Sequence, residues 1–337
     1  MPQLPLRPVC NFFGTGLCTL LSQMLAVVFQ GMEQYPGDVL EFERWFASER
    51  SCLDYLCRIR WPGGFQCPRC RSIKAWVVSR GLFRCTRCDL QTSATAGTIF
   101  EGTRKPLQMW FRAMWYATNQ KHGVSALGLQ QALELGSYHT AWTWMHKLRR
   151  AMVRPGRDRL RGVVEVDETF IGGPKPGQTG RAAKGKALVV VAAQEDGDHI
   201  GRIRMGRVPD ASAKTLEGFI RDSIEPGSTI RTDNWRGYRA LYRKGYRHEF
   251  VRACLALPGE NPLPLVGRVA SLLKRWLLGT HQGAVKPSHL DYYLDEFTFR
   301  FNRRTSHHRG LLFYRLLQQA VAVDPLPAKL IRGGRKL

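Results

Sequence analysis

Four cysteines in two close pairs constrain the fold of this chain more than any other feature. Cys67 and Cys70 form one Cys-x-x-Cys pair, and Cys85 and Cys88 form a second pair after a gap of fourteen residues. Two such turns can bring four thiolates around one Zn²⁺, with residues 75–83 as a hairpin between them. A redox pair is the alternative, but that chemistry uses one such motif. Because a tetrathiolate site has no open coordination position, the sequence predicts a structural zinc ribbon.

The chain is strongly basic, with 51 Lys and Arg residues against 27 Asp and Glu residues and a formal net charge of +24. Such a charge concentrates polyanions, so we expect a nucleic acid partner whose binding weakens with salt. A chain merely kept soluble by charge, or one bound to an anionic membrane, is the alternative. The other five cysteines are scattered, which favours a reducing cytoplasm over a secreted disulfide framework.

The N-terminal segment needs an interpretation of its own. Residues 9–32 carry no charged side chain and follow Arg7, as in a signal peptide or a weak membrane span. Polar residues dilute the segment, and no convincing cleavage site follows it. We interpret residues 1–31 as an upstream extension without a fold of its own, with translation starting at Met32. A membrane or signal segment and a buried helix are the alternatives.

Two helical regions flank the predicted ribbon. Apolar residues recur at helical spacing over 33–60, so residues 32–103 are expected to hold a helical lead-in and the ribbon. Residues 104–153 contain three predicted helices, at 106–121, 125–134 and 138–152.

The last two of these helices are joined by the short turn at 135–137, which contains Gly136. A helix, a tight turn and a helix rich in aromatic and basic residues are typical of a helix-turn-helix whose last helix enters the major groove. An ordinary helical hairpin with a solvated basic face is the alternative. We expect phosphate contacts from Lys147, Arg149 and Arg150, while base contacts by His139 or Thr143 are a weaker hypothesis.

The pattern after Pro155 predicts a mixed sheet flanked by helices, an α/β fold. Four strand-like runs are predicted, with one helix between the third and the fourth. Further helices follow the fourth strand. The predicted strands are 162–171, 186–195, 199–208 and 228–233, and the predicted helices are 212–224, 236–244, 266–278 and 289–302.

Asp167 and Asp233 end two short apolar strand segments in this region. A carboxylate at the end of a buried strand is held rigidly, and two adjacent ionised carboxylates repel unless a divalent cation lies between them. Such a pair is the minimum apparatus for metal-assisted phosphoryl transfer, in which two cations about 3.5–4 Å apart stabilise the attacking and leaving oxygens. The charge of the chain indicates that the substrate is a nucleic acid.

Taken in order, the motifs resemble the bacterial insertion-sequence transposases of the ISXO2-like family. The motifs are the zinc ribbon, the helix-turn-helix, Val164-Glu-Val-Asp-Glu-Thr-Phe-Ile-Gly-Gly173, Thr232-Asp233, Leu272-Leu-Lys-Arg275 and Tyr293-Leu-Asp-Glu-Phe-Thr-Phe-Arg-Phe-Asn302. The similarity covers roughly residues 35–322. It implies an RNase H-like catalytic domain over 160–322, followed by a basic tail over 323–337.

The resemblance also implies a function. Enzymes of this DDE type use Mg²⁺ or Mn²⁺ to cleave the ends of the element and then join the freed 3′-hydroxyl to target DNA. The partners implied are double-stranded DNA, as terminal repeats and target, and a second copy of the chain in a homodimer or larger synaptic complex. The expected location is the bacterial cytoplasm, at the nucleoid and not in a membrane.

The resemblance assigns metal-ligand roles to Asp167 and Asp233, and a phosphate-holding role to Lys274, with Arg275 beside it as a further DNA contact. In the family, an acidic third ligand precedes this lysine by seven residues, about two helical turns. Here that position is Gly267, which offers no side-chain ligand.

This departure leaves two hypotheses open: a transposase of reduced activity, and a DNA-binding protein that retains an inactive transposase fold. An RNase H-like nuclease acting on RNA or on DNA junctions is a further alternative, but such an enzyme does not need the N-terminal half of the chain that would recognise a DNA sequence. Replacement of the missing acid by Glu260, Asp291, Asp295 or Glu296 is conceivable, although surface or structural roles are favoured for these four. Glu165 shares a strand face with Asp167, and a surface or structural role is favoured for it over a supporting role at the metal site.

Overall fold

The computed structural model describes residues 34–154, 156–172, 186–251 and 261–333. The interpretation of residues 1–31 and the candidate acid Glu260 lie outside these residues. In the described part of the chain, no helix combines the length and the apolar character needed to cross a membrane.

The N-terminal half begins with two short helices, α1 (Val39–Trp45) and α2 (Glu49–Arg60). The carboxylate of Asp38 accepts a hydrogen bond from the backbone of Glu41 and starts α1, while Ser48 and Ser51 form a reciprocal capping box that starts α2. The ribbon follows as an antiparallel sheet of β1 (Ala75–Val78), β2 (Leu82–Cys85) and β3 (Gln91–Thr92). The predicted hairpin between the cysteine pairs is therefore confirmed.

The three helices predicted after the ribbon are also confirmed. They are α3 (Leu107–Asn119), α4 (Ala126–Ala132) and α5 (Tyr138–Ala151). Ser125 and Ser137 cap α4 and α5, since each hydroxyl accepts a hydrogen bond from a backbone N–H of the first turn.

The second half contains the predicted mixed sheet. Its strands are β4 (Val163–Ile171), β5 (Ala187–Asp196), β6 (His199–Val208), β7 (Thr229–Asp233) and β8 (Arg247–Val251). The strand order is β6-β5-β4-β7-β8. β4 pairs with β5 and β5 with β6 in antiparallel fashion, whereas β4, β7 and β8 run parallel. The helix predicted at 236–244 is wrong: the segment forms two 3₁₀ turns, Arg236–Tyr238 and Leu241–Lys244, which lead into the unpredicted edge strand β8.

Helices cover both faces of this sheet. α6 (Ala213–Ser223) packs Leu216 and Ile220 against Val164, Val166 and Ile230 on one face. The opposite face is covered by α7 (Pro264–His281) and α8 (Leu290–Phe301). Their core contains Val189, Val191, Val266, Leu273, Leu294 and Phe297.

The last two helices differ from the predicted division of the chain. α9 (Arg309–Ala322) packs Phe313 and Leu316 into the N-terminal helical core, beside Phe42 and Phe111. This helix therefore belongs to the first core, although the sequence-based division assigned it to the catalytic unit 160–322. The segment predicted as a basic tail contains a helix, α10 (Ala328–Gly333), which buries Ile331 and accepts a hydrogen bond from His289.

A buried ionic network joins the two halves. Glu296 on α8 is fully buried and accepts hydrogen bonds from Arg149 of α5 at 2.7 Å and from Arg300 at 2.9 Å. Arg300 also donates to the carbonyls of Ala117 and Gln120 at the end of α3. Burial alone would raise the pKa of Glu296, but the two guanidinium groups outweigh it and lower the pKa to about 2. Glu296 is thus a structural acid, as the sequence favoured.

We predict that Glu296→Gln lowers the free energy of unfolding by about 3–5 kcal/mol, because it leaves the buried guanidinium of Arg149 without its counter-ion. Urea denaturation measures the effect. A matched control is Asp54→Asn, which removes an exposed ion pair with Arg50 and should cost at most about 1 kcal/mol. Equal losses in the two variants would contradict the assigned importance of the network.

We also predict that the protein loses stability when the pH falls below 6.5. Burial, followed by the nearby charge of Arg149, lowers the pKa of His146 to about 2 and that of His281 to about 4. The unfolded chain therefore takes up protons that the folded chain cannot, and two such histidines cost about 2 kcal/mol between pH 6.5 and 5.5. Urea titrations at both pH values test this, with His146→Phe expected to halve the loss. An unfolding free energy that is equal at the two pH values would contradict the predicted loss of stability.

Candidate active site

The parallel pairing of β4 with β7 determines where the two aspartates lie. Glu165 is opposite Arg231 in this ladder. Asp167 and Asp233 stand two residues further along their strands, so the same register carries both carboxylates to one face of adjacent strands, which are about 4.8 Å apart. That face is the one covered by α7 and α8, because Asp167 pairs with Val191 of their core. Both aspartates are partly exposed.

Backbone donors orient the two carboxylates. Oδ1 of Asp167 accepts the N–H of Glu168 at 2.8 Å, and Oδ1 of Asp233 accepts the N–H of Trp235 at 3.0 Å. Tyr238 is buried next to them and donates its hydroxyl to Glu168 at 3.0 Å. Burial, then the charges of Glu168, Asp167 and Asp233, raise the pKa of Tyr238. Glu168 faces the α6 side of the sheet, opposite the two aspartates, because it pairs with Val190 of that core.

Glu165 fixes the helix that lies over the pair. Its side chain is buried, and Oε2 accepts the backbone N–H groups of Leu265 and Val266 at 2.8 and 3.0 Å. Burial raises the pKa of Glu165, although these two donors favour its ionised form. A carboxylate at a helix N-terminus also interacts favourably with the helix dipole. The expected structural role is therefore an anchor for α7, and the sequence signal for it was an acid at an inward-facing strand position.

Gly267 and Lys274 lie on one flank of α7. Leu265, Arg268 and Leu272 lie on the opposite flank and line a cleft with the β5–β6 turn. Lys274 and Arg275 are both exposed.

The position of the expected third acid is covered by an amide. A Cβ added at Gly267 would collide with the side-chain nitrogen of Asn261, whose Oδ1 accepts the N–H of Leu263 at 3.0 Å. Among the alternative acids, Asp291 forms an ion pair with Arg207 at 3.1 Å, and Asp295 is partly exposed on α8. Neither the covering amide nor these partners could be inferred from local sequence.

The four cysteines of the ribbon converge. All four sulfur atoms lie within 4.8 Å of one another, and they are the one group of three or more potential metal ligands found in the described ranges. Two equivalent turns position them, since Cys67 and Cys85 each accept a backbone N–H from the residue four positions later. Those residues, Arg71 and Asp89, both have φ near +62°. The geometry suits tetrahedral coordination by four thiolates.

Of the three phosphate contacts predicted on α5, the one at Arg149 requires correction, while those at Lys147 and Arg150 stay predictions. Arg149 has 1% of its side chain exposed and is paired with Glu296, so it cannot reach a phosphate in this conformation. Lys147 is partly buried and donates to the carbonyl of Ile99 at 3.1 Å, and Arg150 is partly buried too. The exposed start of α5 is formed instead by Tyr138 and His139.

Two family models match the chain. Residues 159–302 match the ISXO2-like transposase domain, and residues 47–91 match the transposase zinc-ribbon domain. The sheet-bearing part of the chain thus contains an ISXO2-like transposase domain. The first match ends at residue 302, before α9, which agrees with the packing of that helix in the N-terminal core.

Individual proteins are also similar to this chain. One is described as an uncharacterized protein in transposable element ISH50 of Halobacterium salinarum, 28% identical over 282 residues that cover 76% of this chain and 91% of the relative. A chain in the cryo-EM structure of the simian T-cell lymphotropic virus intasome with PP2A regulatory subunit B56 gamma covers 59% of this chain and 72% of its own length. Its sequence identity is 16% and its TM-score 0.30, too low to carry an argument.

We predict a graded loss of stability when the anchor of α7 is removed. Glu165→Ala leaves two backbone N–H groups without their acceptor and should cost about 2–4 kcal/mol. Glu165→Gln retains an acceptor oxygen and loses only the charge at the helix N-terminus, so about 0.5–2 kcal/mol is expected. Urea denaturation of both variants measures the difference, and the reverse order would contradict the anchoring role.

Proposed function

We propose that this chain is the DNA transposase of an insertion sequence, which binds the ends of the element and catalyses metal-dependent strand cleavage and strand transfer. The observation that carries the proposal is the shared register of Asp167 and Asp233 on adjacent parallel strands. The matches to a transposase domain and a transposase zinc ribbon support the same reaction class.

Asp167 and Asp233 would hold Mg²⁺ or Mn²⁺, since carboxylate oxygens are the ligands that these hard cations prefer. When bound, the cations supply Lewis-acid stabilisation of the attacking and leaving oxygens of a phosphodiester. The protein contributes rigid strands and backbone donors that keep both carboxylates oriented. Lys274 and Arg275, exposed on the helix above, are proposed to hold the DNA backbone beside the site.

Cys67, Cys70, Cys85 and Cys88 are proposed to bind one structural Zn²⁺. Thiolates are preferred zinc ligands, and the sulfur–sulfur distances of 3.5 Å between Cys67 and Cys88 and between Cys70 and Cys85 suit a single ion. The small three-stranded sheet has little core of its own, so metal binding would supply much of its folding free energy.

A catalytically inactive DNA-binding protein is the second candidate, and Gly267 is the observation that favours it. Without a third acid, the site loses a ligand and a group that could orient the attacking water. Such a loss is worth several kcal/mol in the transition state, or orders of magnitude in rate at about 1.4 kcal/mol per tenfold.

The decisive test is cleavage of DNA carrying the sequence ends of the element, by purified protein with Mg²⁺ or Mn²⁺. Asp167→Asn and Asp233→Asn should each reduce cleavage more than about 100-fold, while DNA binding stays equal or tightens because a negative charge is lost. Asp222→Asn, at an exposed acid on α6, is the matched control. Binding without cleavage by the wild-type protein would instead establish the inactive DNA-binding protein.

We further predict that a third ligand can be restored only when Asn261 is removed with it. Gly267→Glu alone must displace the Asn261 amide, whereas Gly267→Glu with Asn261→Ala has room for the new side chain. The double variant should cleave at least tenfold faster than Asn261→Ala alone. Gly267→Gln in the same background matches its size without the charge and should show no gain. Equal cleavage rates for the Glu and Gln variants would show that a side chain at residue 267 does not act as a metal ligand.

A further inference from the structure

A cavity of about 840 Å³ opens at the end of the sheet where β4 and β7 finish. It lies mainly on the α6 face, so it is across the sheet from the carboxylates of Asp167 and Asp233. Its lining includes Phe170 near the end of β4, Lys186 just before β5, and Trp235 and Arg236 directly after β7. Asp167 lies three residues before Phe170, and Asp233 lies two residues before Trp235. The cavity thus starts where the two aspartate-bearing strands end.

Trp235 connects the cavity directly to the pair. Its backbone N–H donates to Asp233, while its indole N–H donates to the carbonyl of Ala211 at 2.9 Å in the opposite wall. The close packing of Gly237 holds the ring in place, because a Cβ there would lie 2.9 Å from the indole and 2.8 Å from Leu216. A ligand in the cavity would therefore lie against a side chain whose own backbone contacts a proposed metal ligand.

The cavity has a positive electrostatic character. Lys186, Arg207 and Arg236 contribute three cations to its lining, whereas Asp210 contributes one acid. Arg207 is paired with Asp291, but neither Lys186 nor Arg236 forms a salt bridge with a described residue. Arg236 lies 5.3 Å from the Trp235 ring.

The single acid is engaged by the start of α6. Asp210 accepts the backbone N–H of Ser212 and the hydroxyl of Thr215, each at 2.9 Å. The hydroxyl of Ser212, followed by these two donors, lowers the pKa of Asp210. The N-terminus of α6, at Ser212 and Ala213, forms part of the wall and adds the positive end of an 11-residue helix. Lysine, arginine and a helix N-terminus together are typical of phosphate recognition.

On the basis of the proposed function, we propose that this cavity binds a phosphodiester of the single DNA strand that runs from the bond held at Asp167 and Asp233 past Trp235 and round the end of the sheet. Lys186 and Arg236 contact the phosphate, and the Trp235 indole lies against the adjoining nucleotide. The volume is in the range of pockets for small molecules, about 300–1,000 Å³, and so has room for nucleotides of one strand.

The first test is equilibrium binding of a fluorescein-labelled 20-nucleotide oligo-dT strand, measured by anisotropy in EDTA at several salt concentrations. Each phosphate contact contributes about 0.7 to the slope of log K against log salt. Lys186→Gln with Arg236→Gln should lower the slope by about 1.4 and weaken binding about 25-fold at 0.1 M salt. Arg239→Gln with Arg243→Gln removes the same charge from exposed positions outside the cavity. Equal slopes and affinities for the two double variants would overturn the proposal.

The second test uses the unaltered chain, so it does not depend on a variant folding correctly. Oligo-dT with one 5-iodouracil is irradiated in the complex, and the cross-linked peptides are identified by mass spectrometry. The tryptic peptide 232–236, which contains Trp235, should carry the nucleotide. Cross-links confined to other peptides would overturn the proposal.

Failure of this proposal and failure of the proposed function can be told apart. Asp167→Asn should abolish cleavage and leave the cross-link to peptide 232–236 in place. Cleavage that depends on Asp167, together with unchanged strand binding in the Lys186 and Arg236 variant, would remove the cavity proposal alone. A cross-link at Trp235 in a protein without metal-dependent cleavage would support the cavity proposal and contradict the proposed transposase activity.

Discussion

The parallel ladder between β4 and β7 is the interaction on which the rest of the site depends. A shift of one residue in this pairing would turn Asp167 or Asp233 to the face covered by α6. The register is protected because Val164, Val166 and Ile230 are buried on the α6 face, so a slip would expose them and bury charged residues. Formation of the core thus also aligns the two carboxylates.

The buried ionic network around Glu296 is a second constraint, because it fixes how the two halves of the molecule pack together. The sequence motifs did not indicate this network. It joins α5 of the N-terminal half to α8 of the sheet-bearing half, and α7 is tied in as well, since Trp276 and Thr280 both donate to the carbonyl of His122. The helix that carries Gly267 and Lys274 therefore contacts the loop between α3 and α4. One connected set of helices thus links the N-terminal helical region to the helix above the carboxylate pair.

Much of the fold was predictable from local signals. The strands at 163–171 and 187–196, the helices with serine caps and the hairpin between the cysteine pairs each follow from a pattern within a few residues. The helix predicted at 236–244 failed because its apolar spacing was compatible with a helix, while Gly237 and Gly245 favour turns and β7 offered an edge for another parallel strand. Parallel pairing is non-local, so no short window contains the signal for β8.

The sequence by itself determined the chemistry of the chain: four thiolates at zinc-ligand spacing, two aspartates in strand segments, and a glycine where the family has an acid. Only the tertiary structure decided which charges remain available. Arg149 and Lys147 are both cationic residues near the end of α5, yet Arg149 is internal and paired with Glu296, 147 residues later in the chain. Likewise, Asn261 covers Gly267 through a turn of the chain. Burial and pairing depend on partners that are distant in sequence, and a local pattern contains no information about them.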